Sequence, residues 1–120
     1  MVINSSGQGS TIDERVQLLW ENDNVNASFT TKTVTIDSNN YKVLIVSVCS
    51  TSSAAADPLW TNVIINSTDL EHQYVSTNNR HRPVSITANG LVFGSCVADP
   101  LTGSSGDNTN VIPYRIYGLK

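Results

Sequence analysis

The stretch Val84-Ser85-Ile86-Thr87-Ala88-Asn89-Gly90-Leu91-Val92-Phe93-Gly94-Ser95-Cys96-Val97 decides the fold class. Val84, Ile86 and Ala88 alternate with Ser85 and Thr87, the period-two pattern of a half-buried strand. Asn89-Gly90 then separates this run from a second apolar run, Leu91 to Val97. Asn-Gly between two such runs is the strongest short hairpin signal, because both central positions of the favoured two-residue turn need positive φ. The spacing predicts an antiparallel hairpin turning on Asn89-Gly90.

Outward from this hairpin the same grammar repeats. Toward the C-terminus, residues 99–110 read as a long loop, and Val111 to Lys120 close the chain as a strand. Pro113 has no N–H for a ladder, so that strand starts late, lies at an edge or bulges there. Toward the N-terminus, residues 67–82 are polar and mixed, and Leu59 to Asn66 form a strand. Residues 50–57 make a Ser/Ala loop ending in Asp57-Pro58. Tyr41 to Cys49 is the most apolar segment, with Val43 and Ile45 on one face and Leu44, Val46 and Val48 on the other. Such a strand is expected to be covered on both sides, inside the fold or at a subunit contact. Asp37-Ser38-Asn39-Asn40 is a turn cluster. Residues 29–36 place Val34 and Ile36 on one face with Lys32, and threonines on the other. Val16 to Trp20 is a short apolar run, a strand or one helical turn after the capping-box pattern Thr11-Ile12-Asp13-Glu14. Residues 1–15 are expected to be a flexible lead-in.

Composition agrees. Val, Ile and Thr supply 34 of the 120 residues, against 28 from the strong helix formers Ala, Leu, Met, Glu, Gln, Lys and Arg, so β-structure leads. The expected fold is all-β, a jelly-roll-like antiparallel β-sandwich of about seven to eight strands over residues 16–120. Seven Lys plus Arg against ten Asp plus Glu argue against a nucleic-acid-binding surface. No apolar run approaches the length of a membrane span. The first fifteen residues lack the basic start and apolar stretch of a secretory signal.

Three segments carry a family resemblance. They are Leu18-Leu19-Trp20-Glu21-Asn22 with Ala27-Ser28-Phe29 and Thr33-Val34-Thr35-Ile36; Arg82-Pro83-Val84-Ser85-Ile86 through Asn89-Gly90-Leu91-Val92-Phe93-Gly94; and Ile112-Pro113-Tyr114-Arg115-Ile116-Tyr117-Gly118-Leu119-Lys120. Together they resemble the C-terminal head domain of tail-fibre and receptor-binding proteins from phages and prophages of Gram-positive gut bacteria. The match spans about residues 16–120, and the closing motif is its most specific part. Leu119 stands where Ile is usual, and residues 50–82 depart most. The resemblance implies a β-sandwich head at the distal end of a fibre, assembled as a homotrimer, binding a host cell-surface glycan and joined to upstream fibre or other virion proteins. It also implies synthesis in the bacterial cytoplasm and residence in the virion tail. Tyr114, Ile116 and Leu119 then pack either against a neighbouring copy or within one subunit.

For ligand chemistry, four residues stand out. Trp60, just after Asp57-Pro58 at a strand entrance, offers a flat apolar face of the kind that stacks on a sugar ring. Trp20, inside the shared motif, reads as core. Arg80-His81-Arg82 concentrates positive charge that suits an anionic sugar, a teichoic-acid phosphate or a carboxylate of an adjacent subunit, with a plain solvated loop as the bland alternative. His72 and His81 have no partners at metal-ligand spacing and read as solvated loop residues. Cys49 and Cys96 read as free buried cysteines acting as small hydrophobes. The three Asn-x-Ser/Thr sequons, at Asn4, Asn26 and Asn66, are chance matches in a chain with 40 Ser, Thr and Asn. No nucleophile elbow, phosphate loop, metal motif or placed carboxylate pair is present, so neither enzyme activity nor a cofactor is expected. The alternative to receptor binding is a structural virion module, a capsid decoration or fibre cap, with no ligand of its own. A carbohydrate-binding module detached from a bacterial enzyme is disfavoured by the closing motif and the unremarkable first fifteen residues.

Overall fold

A computed structural model describes residues 16–50, 60–67, 73–77 and 79–120. Among these, ten strands run in chain order: β1 (Val16–Glu21), β2 (Lys32–Thr35), β3 (Val43–Cys49), β4 (Trp60–Ile65), β5 (Gln73–Ser76), β6 (His81–Thr87), β7 (Gly90–Phe93), β8 (Val97–Asp99), β9 (Ser104–Ser105) and β10 (Ile112–Leu119). They form two antiparallel sheets, one ordered β1-β10-β3-β4 and the other built on β2-β7-β6, with β5 and β8 both pairing β6 and β9 pairing β8. The sheets pack face to face, so the chain is an all-β sandwich. The excess over the expected strand number comes from short pieces. β9 lies inside the segment expected to be a loop and pairs with β8, which only reaches into that segment at Asp99, and β5 lies in the polar stretch. The lead-in at 1–15, its capping box and most of the loop 50–58 fall outside the described residues.

Alternation builds the core. Leu44, Val46 and Val48 of β3, Ile112 and Ile116 of β10 and Ile64 of β4 face Val34, Val75, Val84, Leu91 and Phe93 of the other sheet, all at most 2% exposed. Each fully buried branched or aromatic side chain here contributes roughly 1.5–3 kcal/mol by leaving water. Phe29 closes one end of this core edge-on to Phe93, with ring centroids 5.8 Å apart. Cys49 and Cys96 are buried and carry free thiols. Burial pushes the Cys49 thiol up in pKa, the opposite of what a reactive thiolate needs.

Tertiary context changes two local readings and, at Pro113, selects the bulge among the three alternatives. The hairpin does not turn on Asn89-Gly90. Thr87 pairs with Gly90, so Ala88 and Asn89 are the turn residues, and Gly90 alone is in a positive-φ conformation, at 141°. A Cβ on Gly90 would overlap the Val34 carbonyl oxygen and sit 2.9 Å from the Ile36 nitrogen, so glycine is required by the close approach of the neighbouring strand. Pro113 lies in an interior strand, and the ladder between β10 and β3 shifts register between Pro113 and Arg115; the bulge is what tolerates it. Finally, β3 is central, but only its Leu44-Val46-Val48 face is covered. Val43 and Ile45 point to the outside of the sandwich and remain partly exposed.

β4 and β5, at the margins of the two sheets, are joined by side chains that imitate a ladder. The Gln73 amide accepts from Ile65 N–H at 2.9 Å and donates to Ile65 O at 2.7 Å. The Asn62 amide accepts from Ser76 N–H at 2.9 Å and donates to Ser76 O at 3.0 Å. Two otherwise open strand margins are thereby occupied.

Candidate functional site

The registers sort the molecule into two ends. Val16 and Val43 both pair with Leu119, Val43 pairs with Ile65, and Gly90 pairs with Thr35 and Thr87, so β1 begins and β10 ends at one end, the base. Glu21 with Arg115, Cys49 with Ile112, Trp60 with Val48, and His81 with Val97 mark the opposite end. There the described connections are 22–31, Asn79–Arg80 and 94–111. This loop end is rich in Asn, Asp, Ser and Thr.

These loops are held from their own side chains. Asn22 and Asn24 accept from the N–H groups of Asn24 and Asn26, Asp99 from Leu101, and Asp107 from Thr109, a series of Asx turns at 2.9–3.2 Å. The Thr109 hydrogen bonds hold the Asp107 carboxyl below its ordinary pKa. Asn22 Nδ2 donates to Pro113 O at 2.9 Å. Asn108 fastens the two longest loops together: its Oδ1 accepts from Cys96 N–H at 2.8 Å and its carbonyl accepts from Phe29 N–H at 2.9 Å. At the tip of the β8–β9 hairpin, Gly103 N–H closes onto Asp99 O at 2.8 Å and presents Leu101 at 94% exposure.

Under this end lies Arg82. The sequence suggested a surface triplet, but Arg82 is completely buried. Because β6 starts at His81, strand alternation turns Arg82 inward, onto the face it shares with Val84. Its Nε donates to Val111 O at 2.9 Å, Nη1 to Gly94 O at 2.7 Å and Nη2 to Asn110 O at 3.1 Å. Its guanidinium lies 5.1 Å from the Phe29 ring centre. Among the described residues the one ion pair is Arg115–Glu21, so Arg82 is satisfied by carbonyl dipoles rather than a carboxylate. Burial pushes its pKa down to about 10, which still leaves it charged at neutral pH. Val111, which accepts from Arg82, has φ 52°, the left-handed region a β-branched residue seldom occupies. Arg82 therefore does not present charge to a ligand; it positions both ends of the 94–111 segment.

The other expected ligand residues are at the same end. Trp60 opens β4 and is half-buried against the core. His81 is half-buried with Nδ1 2.7 Å from Ser76 Oγ, and Ser76 is in turn tied to Asn62 of β4, two residues from Trp60. Arg80 donates through Nη1 to Asn79 O at 2.8 Å. His72 falls outside the described residues. Trp20 packs partly against the core, with the Lys32 ammonium 6.0 Å from its ring centre. Among the described residues there is no enclosed pocket and no cluster of His, Cys, Asp and Glu suited to a metal.

A second surface was only partly marked by the sequence, through the doubly apolar segment from Val43 to Val48 and through Leu119. On the outward face of the β1-β10-β3-β4 sheet, Val16, Leu119, Val43 and Ile65 stand side by side in one row across all four strands. Leu18, Tyr117, Ile45 and Val63 stand in the next. Leu18, Val63 and Ile65 are 52%, 61% and 52% exposed. The signal was in the sequence: Val63-Ile64-Ile65 and Val43 to Val46 are apolar at both parities. Of the closing motif, Ile116 packs in the core and Tyr114 partly against it, while Leu119 lies in this outer row.

No family model, curated protein or solved structure matches the chain. The functional reading therefore stands on the residues and their arrangement.

Proposed function

We propose that this chain is the head domain of a phage or prophage tail fibre that binds a host cell-surface glycan, without catalysis or cofactor, as a homotrimer. One observation carries the reading: β1 begins and β10 ends at the base, while the pre-ordered polar loops gather at the far end. A chain entering from an upstream fibre at the base would hold those loops outward toward a cell. The resemblance of the closing motif supports the same reading, and the motif's residues have structural tasks. Pro113 sits at the bulge, Ile116 fills the core, and Gly118 leaves room for the Tyr41 ring.

Amide, hydroxyl and carboxylate groups on ordered loops suit sugar hydroxyls, because ordering them in advance lowers the entropy lost on binding. With no enclosed pocket among the described residues, binding would be shallow and individually weak. Three copies on one fibre, and several fibres on one particle, raise the effective affinity without new contacts. Trp60, Arg80 and His81 are the contact candidates, and Arg82 is a positioning residue.

The test is the purified domain on an array of Gram-positive wall polysaccharides and teichoic acids, with labelled antibody locating the protein on the particle. Binding of at least one polysaccharide class and labelling of the tail tip are expected. No binding at all, together with label on the capsid shell, would replace this reading by that of a structural virion module.

A further inference from the structure

We infer that the β1–β2 flank of the loop end takes the anionic group of a charged cell-surface sugar, with Lys32 as its counter-charge and Trp20 as the platform for the sugar ring. The inference rests on the glycan-binding reading and adds to it the class of sugar and the place where that sugar sits. The two flanks of the sandwich are built differently. β4 and β5 are closed onto each other by the Gln73 and Asn62 amides. β1 and β2 are the opposite margins, one in each sheet, and among the described residues no side-chain ladder joins them. Trp20 pairs with the core residue Ile116, and Lys32 pairs with the core residue Phe93. Alternation therefore turns both side chains toward the gap between the sheets. They flank the 22–31 connection, Trp20 partly exposed and Lys32 exposed.

Charge selects the ligand. The Lys32 ammonium lies 6.0 Å from the Trp20 ring centre and 5.8 Å from that of Phe29. The Arg82 guanidinium lies 5.1 Å from the same Phe29 ring. Two cations thus share one aromatic ring. Neither has a carboxylate at ion-pair distance, since among the described residues the one ion pair is Arg115–Glu21. Glu21 follows Trp20 in sequence, but alternation turns it to the outer face of its sheet, where Arg115 Nε donates to it. Arg82 is buried and already donates to three carbonyls, so Lys32 is the member of the pair that a ligand can reach. The two rings hold its charge in place before anything binds, which lowers the entropy lost on binding. A neutral sugar would leave both positive charges uncompensated, whereas a carboxylate or phosphate on the sugar compensates them. The exposed part of the Trp20 ring supplies the flat apolar surface against which the sugar ring packs.

The test is an NMR titration of the full 120-residue chain with short fragments of three polymers. These are a wall teichoic acid, whose charge is phosphate, a polyuronate, whose charge is carboxylate, and neutral dextran. At least one anionic fragment should bind, more weakly as sodium chloride is added, and dextran should not. Which of the two anionic fragments binds tells phosphate from carboxylate. The Trp20 indole N–H resonance should move with the fragment that binds. Lys32→Gln should weaken that binding about fivefold, the worth of one charge pair ~4 Å apart in water, and flatten its salt dependence. Its circular dichroism spectrum should be unchanged, because Lys32 is exposed. Lys32→Arg should keep both the affinity and the salt dependence, which separates charge from fold. Anionic binding unaffected by Lys32→Gln, a silent Trp20 indole, or dextran binding as well as the anionic fragments would each overturn the inference and leave the glycan-binding reading standing. Binding of none of the three fragments would also overturn it; a polysaccharide captured on the array would then retain the broader reading, and an empty array would remove both.

Discussion

Replacing Arg82 by Met removes a buried cation while keeping most of the side-chain volume. Three charge-assisted hydrogen bonds are lost, each worth about 1.5–3 kcal/mol, so the gross loss is about 5–9 kcal/mol. Against this, the variant no longer buries a charge. Burial lowers the guanidinium pKa to about 10, so holding this charge away from water is unfavourable and its removal offsets part of the loss. The net destabilisation is therefore a few kcal/mol, on the order of 3, a large fraction of the 5–15 kcal/mol that holds a typical domain. The damage should be local before it is global, because all three carbonyls belong to Gly94, Asn110 and Val111 at the two ends of one loop segment. Urea unfolding followed by tryptophan fluorescence measures the total, and hydrogen exchange measures the loop. Amides across 94–111 are expected to lose protection at urea concentrations where β3 and β10 keep theirs. A variant within 0.5 kcal/mol of wild type, with the loop amides unchanged, would refute the claim that Arg82 positions this end.

Gly118→Ala sets a Cβ into the Tyr41 ring, 2.6 Å from its Cγ, and is expected to cost about 3 kcal/mol in chemical denaturation; in a Tyr41→Ala background the same change should cost almost nothing. Gln73→Leu leaves the Ile65 N–H and C=O without their side-chain partners and should cost about 1–3 kcal/mol, with faster aggregation at the opened β4 margin measured by light scattering. The Asp107 carboxyl has a folded pKa below its ordinary 3.8, so what it contributes to loop order is complete above that value and is lost as pH falls through the lower folded value. A carbon-detected NMR titration should place its midpoint below 3.8, with the Thr109 amide resonance moving in step; a midpoint at or above 3.8 would contradict the Asx-turn geometry.

Much of the sandwich was legible because strand alternation is a local signal. Val84 and Ile86, the apolar β3 run and the β-branched 32–36 segment each declare their strands without reference to anything distant. What was not legible depended on partners far along the chain. Asn89-Gly90 looks like the turn centre in isolation, but the approach of the Val34 carbonyl assigns Gly90 to a strand and moves the turn back by one residue. Arg82 looks like one member of a charged surface triplet. Its burial follows from β6 starting at His81 and from three carbonyls contributed by a loop up to 29 positions away. The apolar face of the β1-β10-β3-β4 sheet was half visible, as runs apolar at both parities. Which parity faces out was decided only by the strand order. At the loop end the sequence correctly marked polar, turn-rich segments, but the fastening of 22–31 to 94–111 through Asn108 has no sequence signature.

The central claim is that the loop end meets a surface polysaccharide of the host, and amide chemical-shift mapping tests it most directly. Isotope-labelled protein is titrated with fragments of the wall polysaccharide that the array identifies. Shifts concentrated in 22–31, Asn79–Arg80 and 94–110, with the base residues 36–42 and 88–89 unmoved, are the expected result. Shifts confined to the base or spread over the outer sheet faces, with the loops silent, would contradict it.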